Sequence, residues 1–491
     1  MKSILNLKFR MTIVLCCIVT AFFTSCRDSE SKSDIVEHNP SNPVTITSVE
    51  PDSINVASQM LITGKNFGGD KSKISVEING KKAAVINVTP DGTIIYCIVP
   101  SLKEAGEYHE GGDMITASAK VIVDGTAESN PSDQLIYTFS QSVSTFLGFT
   151  DQDGNSAITD GTFDQAQFLS PFWLAFDTDI KGPKDEYGNL KKNIYLIEEN
   201  NGLRYIDLYN KTVETIFRTT GDLQRPRTIA FTLDGDTMII ANDVGDWGSN
   251  GTVIIPRDPI SRKFTNGTPT PWTVVMHHKQ CNGGAIHPIS GDYWFNSYEK
   301  SQVYKVFQRP SNGSVWRYGG PSAADLNVDG QEGTHYFFLV QDNNWEFNIQ
   351  IAPSGSFAYI VSKNQHYIAR MSYDFSTGAF LKPVPFVGTR QQSGFQDGVG
   401  TNTLFNQPQQ GAFDKDDNFY VCDGLNHCIR KVTPQGQVST FAGRPQNAGY
   451  SDGALRDAQF NTPFGIIFDD DLQTFYIADE NNHRLRMITL Q

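Results

Sequence analysis

Between Val44 and about Ser140, short runs of alternating apolar and polar residues are separated by turns. Ile74-Ser75-Val76-Glu77-Ile78 shows this alternation, and Lys120-Val121-Ile122-Val123 is a shorter, more apolar run. A period of two indicates strands that bury one face, and no helical period interrupts it in this part of the chain. The pattern predicts an all-β domain here.

The last hundred residues contain the same pattern of strands and turns twice. The first copy includes Tyr420-Val421-Cys422-Asp423, and the second includes Tyr476-Ile477-Ala478-Asp479. Pro408 and Pro463, which precede these runs, are 55 positions apart. A repeat of this length that is built from short strands is the signature of a propeller blade.

Four short motifs recur in the two copies and a fifth closes the first copy, and together they identify the family they resemble. In the first copy they are Asp397-Gly398, Leu404 to Pro408, Tyr420 to Asp423, Asn426 to Lys431 and Val438 to Gly443. These motifs resemble NHL repeats, and a third partial match lies at Asp160-Gly161 and Ala166 to Pro171. The resemblance implies an NHL-type β-propeller over residues 143–491.

The beginnings of successive blades can be counted along the chain, and they give six. They stand at Pro171, Pro226, Gly283, Phe347, Pro408 and Pro463. The chain ends in the third strand of the last blade, whereas Val143 to Gly148 reads like Val438 to Gly443. We expect residues 143–148 to supply the fourth strand, to close the ring and to be essential to stability, because unpaired sheet edges are a liability.

Residues 44–140 resemble an IPT/TIG domain, an immunoglobulin-like β-sandwich. The run Ile62-Thr63-Gly64-Lys65-Asn66-Phe67 carries the resemblance. Such a domain either binds a ligand directly or acts as a rigid spacer. The spacer role is favoured, because nothing in this stretch resembles a ligand site.

The N-terminus predicts a targeting segment and not a folded element. Lys2, Lys8 and Arg10 precede an apolar run from Met11 to Phe23, which is shorter than a bilayer span. Thr24-Ser25-Cys26 resembles a bacterial lipobox, which implies a signal peptide over residues 1–25 and lipidation of Cys26; an ordinary signal peptide is the alternative. Residues 26–43 are polar and predict a flexible tether. Asp28, Glu30 and Asp34 resemble the export signal of Bacteroidetes surface lipoproteins, so an outer-membrane location facing the exterior is expected.

The formal net charge of −14 argues against nucleic acid as a partner, because phosphate backbones are bound by basic faces. Neither a serine nucleophile elbow nor a phosphate-binding loop is present, so we assign no catalytic residue.

Aligning the blades places one polar residue at the end of the second strand of each. They are Glu198, Asn242, Asn296, Ser362, Asp423 and Asp479. Such side chains commonly cap the following turn. The alternative is a calcium site on the propeller axis that uses all of them except Ser362, since calcium prefers carboxylate and amide oxygens. That set resembles the metal ligands of six-bladed lactonases.

Cys422 and Cys428 flank the turn between two adjacent strands. They either form a disulfide or are separate small core residues.

Several tryptophans stand in polar or turn-forming sequence, and they either pack loops onto the propeller or contact a ligand. Trp247, Trp316 and Trp345 are the candidates for stacking on sugar rings, with Asn250, Asn343 and Asn344 as hydrogen-bonding neighbours. The combination of lipoprotein signal, Ig-like domain and propeller resembles the accessory glycan-binding lipoproteins of Bacteroidetes. It implies non-catalytic capture of an oligosaccharide, beside a TonB-dependent porin and its partner lipoprotein, with no cofactor required. The alternatives are a calcium-dependent lactonase or lyase and a protein-binding scaffold.

Overall fold

The computed structural model describes most of the chain from residue 35 to residue 489. The described residues are 35–55, 58–100, 102, 113–138, 141–151, 154–184, 190, 192–219, 223–243, 250–264, 273–277, 281–297, 302–307, 317–319, 338–340 and 346–489. They divide into two compact units, one up to residue 140 and one over residues 141–490. No helix within these ranges is long and apolar enough to cross a bilayer.

The first unit is a β-sandwich of two sheets. Its strands are β1 (Thr45–Glu50), β2 (Ser53–Ile54), β3 (Gln59–Lys65), β4 (Ile74–Ile78), β5 (Lys81–Val88), β6 (Ile94–Ile98), β7 (Met114–Ala117), β8 (Ala119–Val123), β9 (Ala127–Glu128) and β10 (Leu135–Thr138). One sheet has the order β1-β3-β6-β5-β4-β8-β9 and the other the order β2-β10-β7. Alternate side chains of both sheets form a single apolar core, as the period of two predicts.

The Gly64-to-Phe67 run explains why this sequence forms a tight strand end. Phe67 is fully buried, and a Cβ on Gly64 would lie 2.2 Å from its ring and 2.1 Å from the Thr45 carbonyl oxygen. Only glycine fits there. Asn66 adopts φ of 63° and its side-chain amide donates to the carbonyls of Asn39 and Asn42.

The described part of the second unit forms six sheets, numbered here as blades 1 to 6. A first strand, β11 (Ser142–Leu147), precedes them. Blade 1 contains β12 (Gly161–Thr162), β13 (Pro171–Phe176), β14 (Ile194–Glu198), β15 (Gly202–Asp207) and β16 (Thr212–Arg218). Blade 2 contains β17 (Pro226–Phe231), β18 (Thr237–Asn242), β19 (Asn250–Pro256) and β20 (Thr273–His277). Blade 3 contains β21 (Gly284–Ile286), β22 (Tyr293–Ser297), β23 (Gln302–Phe307), β24 (Arg317–Gly319) and β25 (Phe338–Leu339).

The remaining three blades follow the same plan. Blade 4 contains β26 (Phe347–Ile351), β27 (Phe357–Ser362), β28 (Tyr367–Asp374), β29 (Ala379–Phe380) and β30 (Val384–Val387). Blade 5 contains β31 (Gly398–Val399), β32 (Pro408–Phe413), β33 (Phe419–Asp423), β34 (Cys428–Val432) and β35 (Gln437–Ala442). Blade 6 contains β36 (Gly453–Ala454), β37 (Pro463–Asp469), β38 (Thr474–Asp479) and β39 (Arg484–Thr489), and β11 pairs antiparallel with β39. Short 3-10 turns include Gly424–Asn426 and Glu480–Asn482.

The innermost strands contact one another in a ring, in the order β13, β17, β21, β26, β32, β37 and back to β13. Apolar clusters fill the spaces between neighbouring blades. All six inner strands begin at the same end of the ring, so their first residues surround the axis. This arrangement is a β-propeller, and it confirms the all-β fold class.

Candidate functional site

A buried arginine organises three of the six blades. In blade 5, Arg430 is fully buried and donates from one terminal nitrogen to Asp423 Oδ2 at 2.8 Å. Its other terminal nitrogen donates to Asp397 Oδ1 at 2.6 Å. The same pattern joins Arg486 to Asp479 and Asp452 in blade 6, and Arg204 to Glu198 and Asp160 in blade 1. The repeated Asp-Gly, strand-end acid and arginine motifs are therefore one structural unit within each blade.

In blade 6, this unit also binds the strand from the other end of the propeller sequence. The backbone N–H of Thr145, in β11, donates to Asp452 Oδ2 at 3.0 Å. In blade 5 the backbone N–H of Thr440 makes the equivalent bond to Asp397. Thr145 is therefore the counterpart of Thr440, and β11 takes the place in blade 6 that β35 has in blade 5.

The calcium alternative would use Glu198, Asn242, Asn296, Asp423 and Asp479, and each of these side chains already bonds a group of the protein. Three of them bond the buried arginines of their own blades. Asn242 Oδ1 accepts from the backbone N–H of Arg225, and Asn296 Oδ1 accepts from those of Asn282 and Gly283. Asp423 and Asp479 make no side-chain cap bond to the turn that follows them, and each accepts instead from a backbone N–H just before the inner strand of its blade. Among the described residues, no three His, Cys, Asp or Glu side chains are grouped to hold a metal ion.

Burial shifts the titration of the strand-end acids. Desolvation raises the pKa of Glu198 to about 7, although Arg204 opposes the shift. It raises the pKa of Asp423 and Asp479 to about 6, against Arg430 and Arg486. The physical cause is the low dielectric of the blade interior, which disfavours the charged form.

Of the two alternatives predicted for Cys422 and Cys428, the disulfide is wrong, because both residues are free, buried thiols. Cys422 pairs with Ile429 across the hairpin, and Cys428 pairs with Asp423. Paired residues share a sheet face and consecutive residues alternate, so the two sulfurs point to opposite faces. The alternative prediction, separate small core residues, describes them.

Arg227 and Lys363 line an opening among the inner strands, and in four blades the residue that follows the strand-end residue either is Lys363 or lies near Arg227. We call Glu199, Asp243, Lys363 and Glu480 the collar. Arg227, the second residue of β17, donates to Glu199 Oε1 at 2.6 Å and to Asp243 Oδ2 at 3.0 Å. Glu480 feels the charges of Glu199, Lys363 and Arg227, so the collar members of four blades face one region.

A small cavity of about 40 Å³ opens inside the collar, and we call it the axial mouth. It is lined by Phe172, Trp173, Arg227, Thr228, Asn282, Glu346, Phe347, Asn348, Lys363, Gln409 and Phe464. Phe172 and Phe464 stack with ring centroids 3.5 Å apart, and Arg227 lies 5.4 Å from the Phe172 centroid. The mouth thus combines aromatic rings with charged and amide side chains, the composition expected of a site for a polar organic ligand.

A larger cavity of about 310 Å³, the axial chamber, lies along the later residues of the inner strands. Its walls are residues 173–174, 229–231, 284–286, 349–351 and 410–413, together with Thr178. Trp173 lines both the mouth and the chamber. Gln410 donates to the Leu174 carbonyl at 2.8 Å and accepts from the Leu174 N–H at 3.1 Å, which links blade 5 to blade 1.

Glu480 is the member of the collar whose pKa is most altered. Burial, together with the nearby charge of Glu199, raises the pKa to about 7, and a hydrogen bond from Ser170 opposes the shift. This carboxyl therefore titrates near neutrality, at the edge of the mouth.

Glu480→Gln is expected to stabilise the protein at pH 8 and to have little effect at pH 5. The folded pKa of about 7 lies above the ordinary 4.5, so the folded state binds a proton more tightly than the unfolded state does. The stability that this proton provides is present at pH 5 and is lost as the pH rises through 7. Because the side chain is only half-buried, we expect a gain of about 1–2 kcal/mol at pH 8. Urea unfolding at pH 5, 6, 7 and 8 measures it. Glu214→Gln, at an exposed ion pair, provides the baseline, and an equal gain at pH 5 and pH 8 would refute the assignment.

The predicted sugar-stacking residues fall outside the part of the chain that the structure describes. These are Trp247, Trp316, Asn343, Asn344 and Trp345, and Cys26 is also outside it; Asn250 begins β19. The collar and the mouth are the functional candidates that sequence reasoning missed. One signal could have found the collar: four of the six positions that directly follow the strand-end residues are charged, Glu199, Asp243, Lys363 and Glu480, whereas Ser297 and Gly424 stand there in blades 3 and 5.

Fold and site define an NHL-type propeller protein that also carries an IPT/TIG domain. The sequence profile of the IPT/TIG domain family matches residues 43–137. Crystal structures of two Bacteroides auxiliary nutrient binding proteins resemble the chain over 92% of its length and 99% of theirs. The one from Bacteroides thetaiotaomicron is 33% identical with a TM-score of 0.61, and the one from Bacteroides ovatus is 26% identical with a TM-score of 0.64. A protein from Bacteroides thetaiotaomicron named a putative phosphatase is 31% identical, with a TM-score of 0.60, over 92% of this chain and 98% of that one.

The chain belongs to this family of Bacteroides proteins, in which an IPT/TIG domain precedes an NHL-repeat propeller. Among curated proteins, human NHL repeat-containing protein 2 is 32% identical over 97 residues, which are 19% of this chain and 13% of that protein. SUPPRESSOR OF QUENCHING 1 of Arabidopsis thaliana is 24% identical over 343 residues, 69% of this chain. The chain spans only about a quarter of that plant protein (26%).

Proposed function

We propose that this protein is a non-catalytic nutrient-binding protein that captures an oligosaccharide at the collar end of its propeller. The observation that carries the proposal is its likeness, over nearly the whole of both chains, to two proteins named for nutrient binding. The axial mouth supports it, because aromatic rings beside amides and charged groups suit the apolar faces and hydroxyl edges of sugars. Trp247, Trp316 and Trp345, with Asn250, Asn343 and Asn344, are the proposed stacking and hydrogen-bonding contacts.

Calorimetric titration of the purified protein with plant, microbial and host oligosaccharides tests this function. We expect saturable binding without any product, weakened at least tenfold in Trp247→Ala or Trp345→Ala. Phe375→Ala is the control, because Phe375 is 58% exposed and follows the third strand of blade 4, at the other end of the propeller. Binding of no glycan, together with co-purification of a porin complex, would replace this function with a protein-binding scaffold. Release of a product would identify an enzyme.

We also propose that lipid on Cys26 holds the protein at the outer membrane, facing outwards, beside a TonB-dependent porin and a partner surface lipoprotein. The support is the lipobox-like Thr24-Ser25-Cys26 and the acidic residues of the tether. Wild-type cells grown with labelled palmitate are expected to yield a labelled protein that external protease digests. Cys26→Ser is expected to lose the label, and a variant that keeps it would rule out this anchor.

A further inference from the structure

The axial mouth presents hydrogen-bond donors that the protein itself does not use. Gln409, the second residue of β32, is 3% exposed and lines the mouth, yet its amide bonds no described residue. Asn348, which is half-buried, also lines the mouth; its side-chain oxygen accepts from Gln350, and its amide nitrogen donates to no described residue. A buried amide without a partner is costly, so an unpaired one facing a cavity points to a ligand.

Arg227 and Lys363 are the two cations that line the mouth, and Lys363 is the one less closely paired with carboxylates of the protein. Its ammonium lies 3.8 Å from the nearest carboxylate oxygen, Glu346 Oε2, which itself accepts from Asn364 at 2.5 Å. It also lies 5.9 Å from the Phe464 ring centroid. By contrast, Arg227 is already bonded to both Glu199 and Asp243. The positive charge available to a ligand is therefore that of Lys363.

The shape of the mouth limits what can enter. Its volume of about 40 Å³ has room for a small polar group such as a carboxylate. Gly424 occupies the collar position of blade 5, and a Cβ there would lie 3.4 Å from Gln409 Cγ. The absence of a side chain keeps the approach to the Gln409 amide open.

We infer that the axial mouth binds the carboxylate of an acidic sugar, such as a uronic acid, with Lys363, Gln409 and Asn348 as its donors. A carboxylate offers acceptors alone, which matches an ammonium and two amide N–H groups, and charge-assisted bonds of this kind are the stronger ones. Acidic side chains surround this site, because Glu346 lies beside Lys363 and the other members of the collar are Glu199, Asp243 and Glu480. The inference rests on the proposed function, since it names the class of oligosaccharide captured.

Two matched pairs of ligands test the inference. Oligogalacturonides are compared with their methyl esters, and hyaluronan oligosaccharides with their carboxyl-reduced forms, by calorimetry at low and moderate salt. We expect at least one carboxylated ligand to bind tenfold or more tightly than its neutral partner, with affinity that falls as salt rises. Lys363→Met should remove that preference, and Lys363→Arg should retain most of it.

Lys181→Met is the control, because Lys181 is an exposed lysine paired with Asp236 in a turn at the other end of the propeller. Melting temperatures establish that each variant is folded. If neutral glycans bind as tightly as their acidic partners, the inference fails and the proposed function stands. If neither member of any pair binds, and no other glycan does, both fail. A preference that survives both Lys363→Met and Gln409→Glu would place the carboxylate elsewhere and overturn the inference.

Discussion

Arg430→Met is expected to lower the free energy of unfolding by about 3–5 kcal/mol, the cost of breaking a buried ion pair from one side. The guanidinium joins Asp423 to Asp397 and donates to the carbonyls of Leu404 and Gln396. It is fully buried, so without it Asp423 would keep its burial and lose its cation. The carboxylate would then have to be protonated or hydrated, and either disrupts blade 5. Urea or thermal unfolding of the purified protein measures the loss.

The neighbouring residue supplies a matched control for this prediction. Lys431 lies on the opposite face of β34 and is only partly buried, with its ammonium 5.3 Å from the Tyr420 ring. Lys431→Met should cost less than about 1 kcal/mol, as for most surface substitutions. Adding Asp423→Asn to Arg430→Met should restore part of the lost stability, because the orphaned charge is removed. A loss below 1 kcal/mol for Arg430→Met alone would show that the arginine does not organise the blade.

The repeated motifs allowed the propeller to be predicted. Every blade that has the buried arginine also has its two acidic partners, so these residues recur in the sequence. In blades 1, 5 and 6, the third strand carries the arginine opposite the residue that stands two positions before the strand-end residue. At the same position of the third strand, blades 2, 3 and 4 have Val253, Lys305 and Ala369. Without the arginine, those blades need no Asp-Gly and no strand-end acid. Their weaker sequence resemblance therefore has a structural reason.

The candidate collar lies one residue beyond the strand-end positions that the sequence singles out. Sequence spacing shows which residue ends the second strand, but not which way its side chain points once the strand gives way to a turn. Asp479 points into the blade toward Arg486, and Glu480, the next residue, joins the collar. The mouth itself combines residues from blades 1 to 6, which only the closed arrangement of inner strands brings together. Contacts between distant segments, such as the stacking of Phe172 on Phe464, leave no local pattern in the sequence.

Val143→Asp is expected to destabilise the propeller by at least about 3 kcal/mol, because it buries a carboxylate without a partner. Val143 is 1% exposed, pairs with Ile488 of β39 and belongs to the apolar cluster between blades 5 and 6. The strand that carries it is the only one of blade 6 that comes from the beginning of the propeller sequence, so loosening it separates the two ends of the ring. Blade 6 would then present β39 as an unpaired edge.

The same substitution at an exposed strand provides the control. Val399, in β31 of blade 5, is 56% exposed, and Val399→Asp should change the free energy of unfolding by less than about 0.5 kcal/mol. Limited proteolysis distinguishes local opening from general destabilisation, because cleavage in Val143→Asp should begin next to β11 and β39. If the two variants unfold at the same urea concentration, β11 is dispensable. In that case the remaining inter-blade contacts hold the ring closed, since β37 still packs against both β13 and β32.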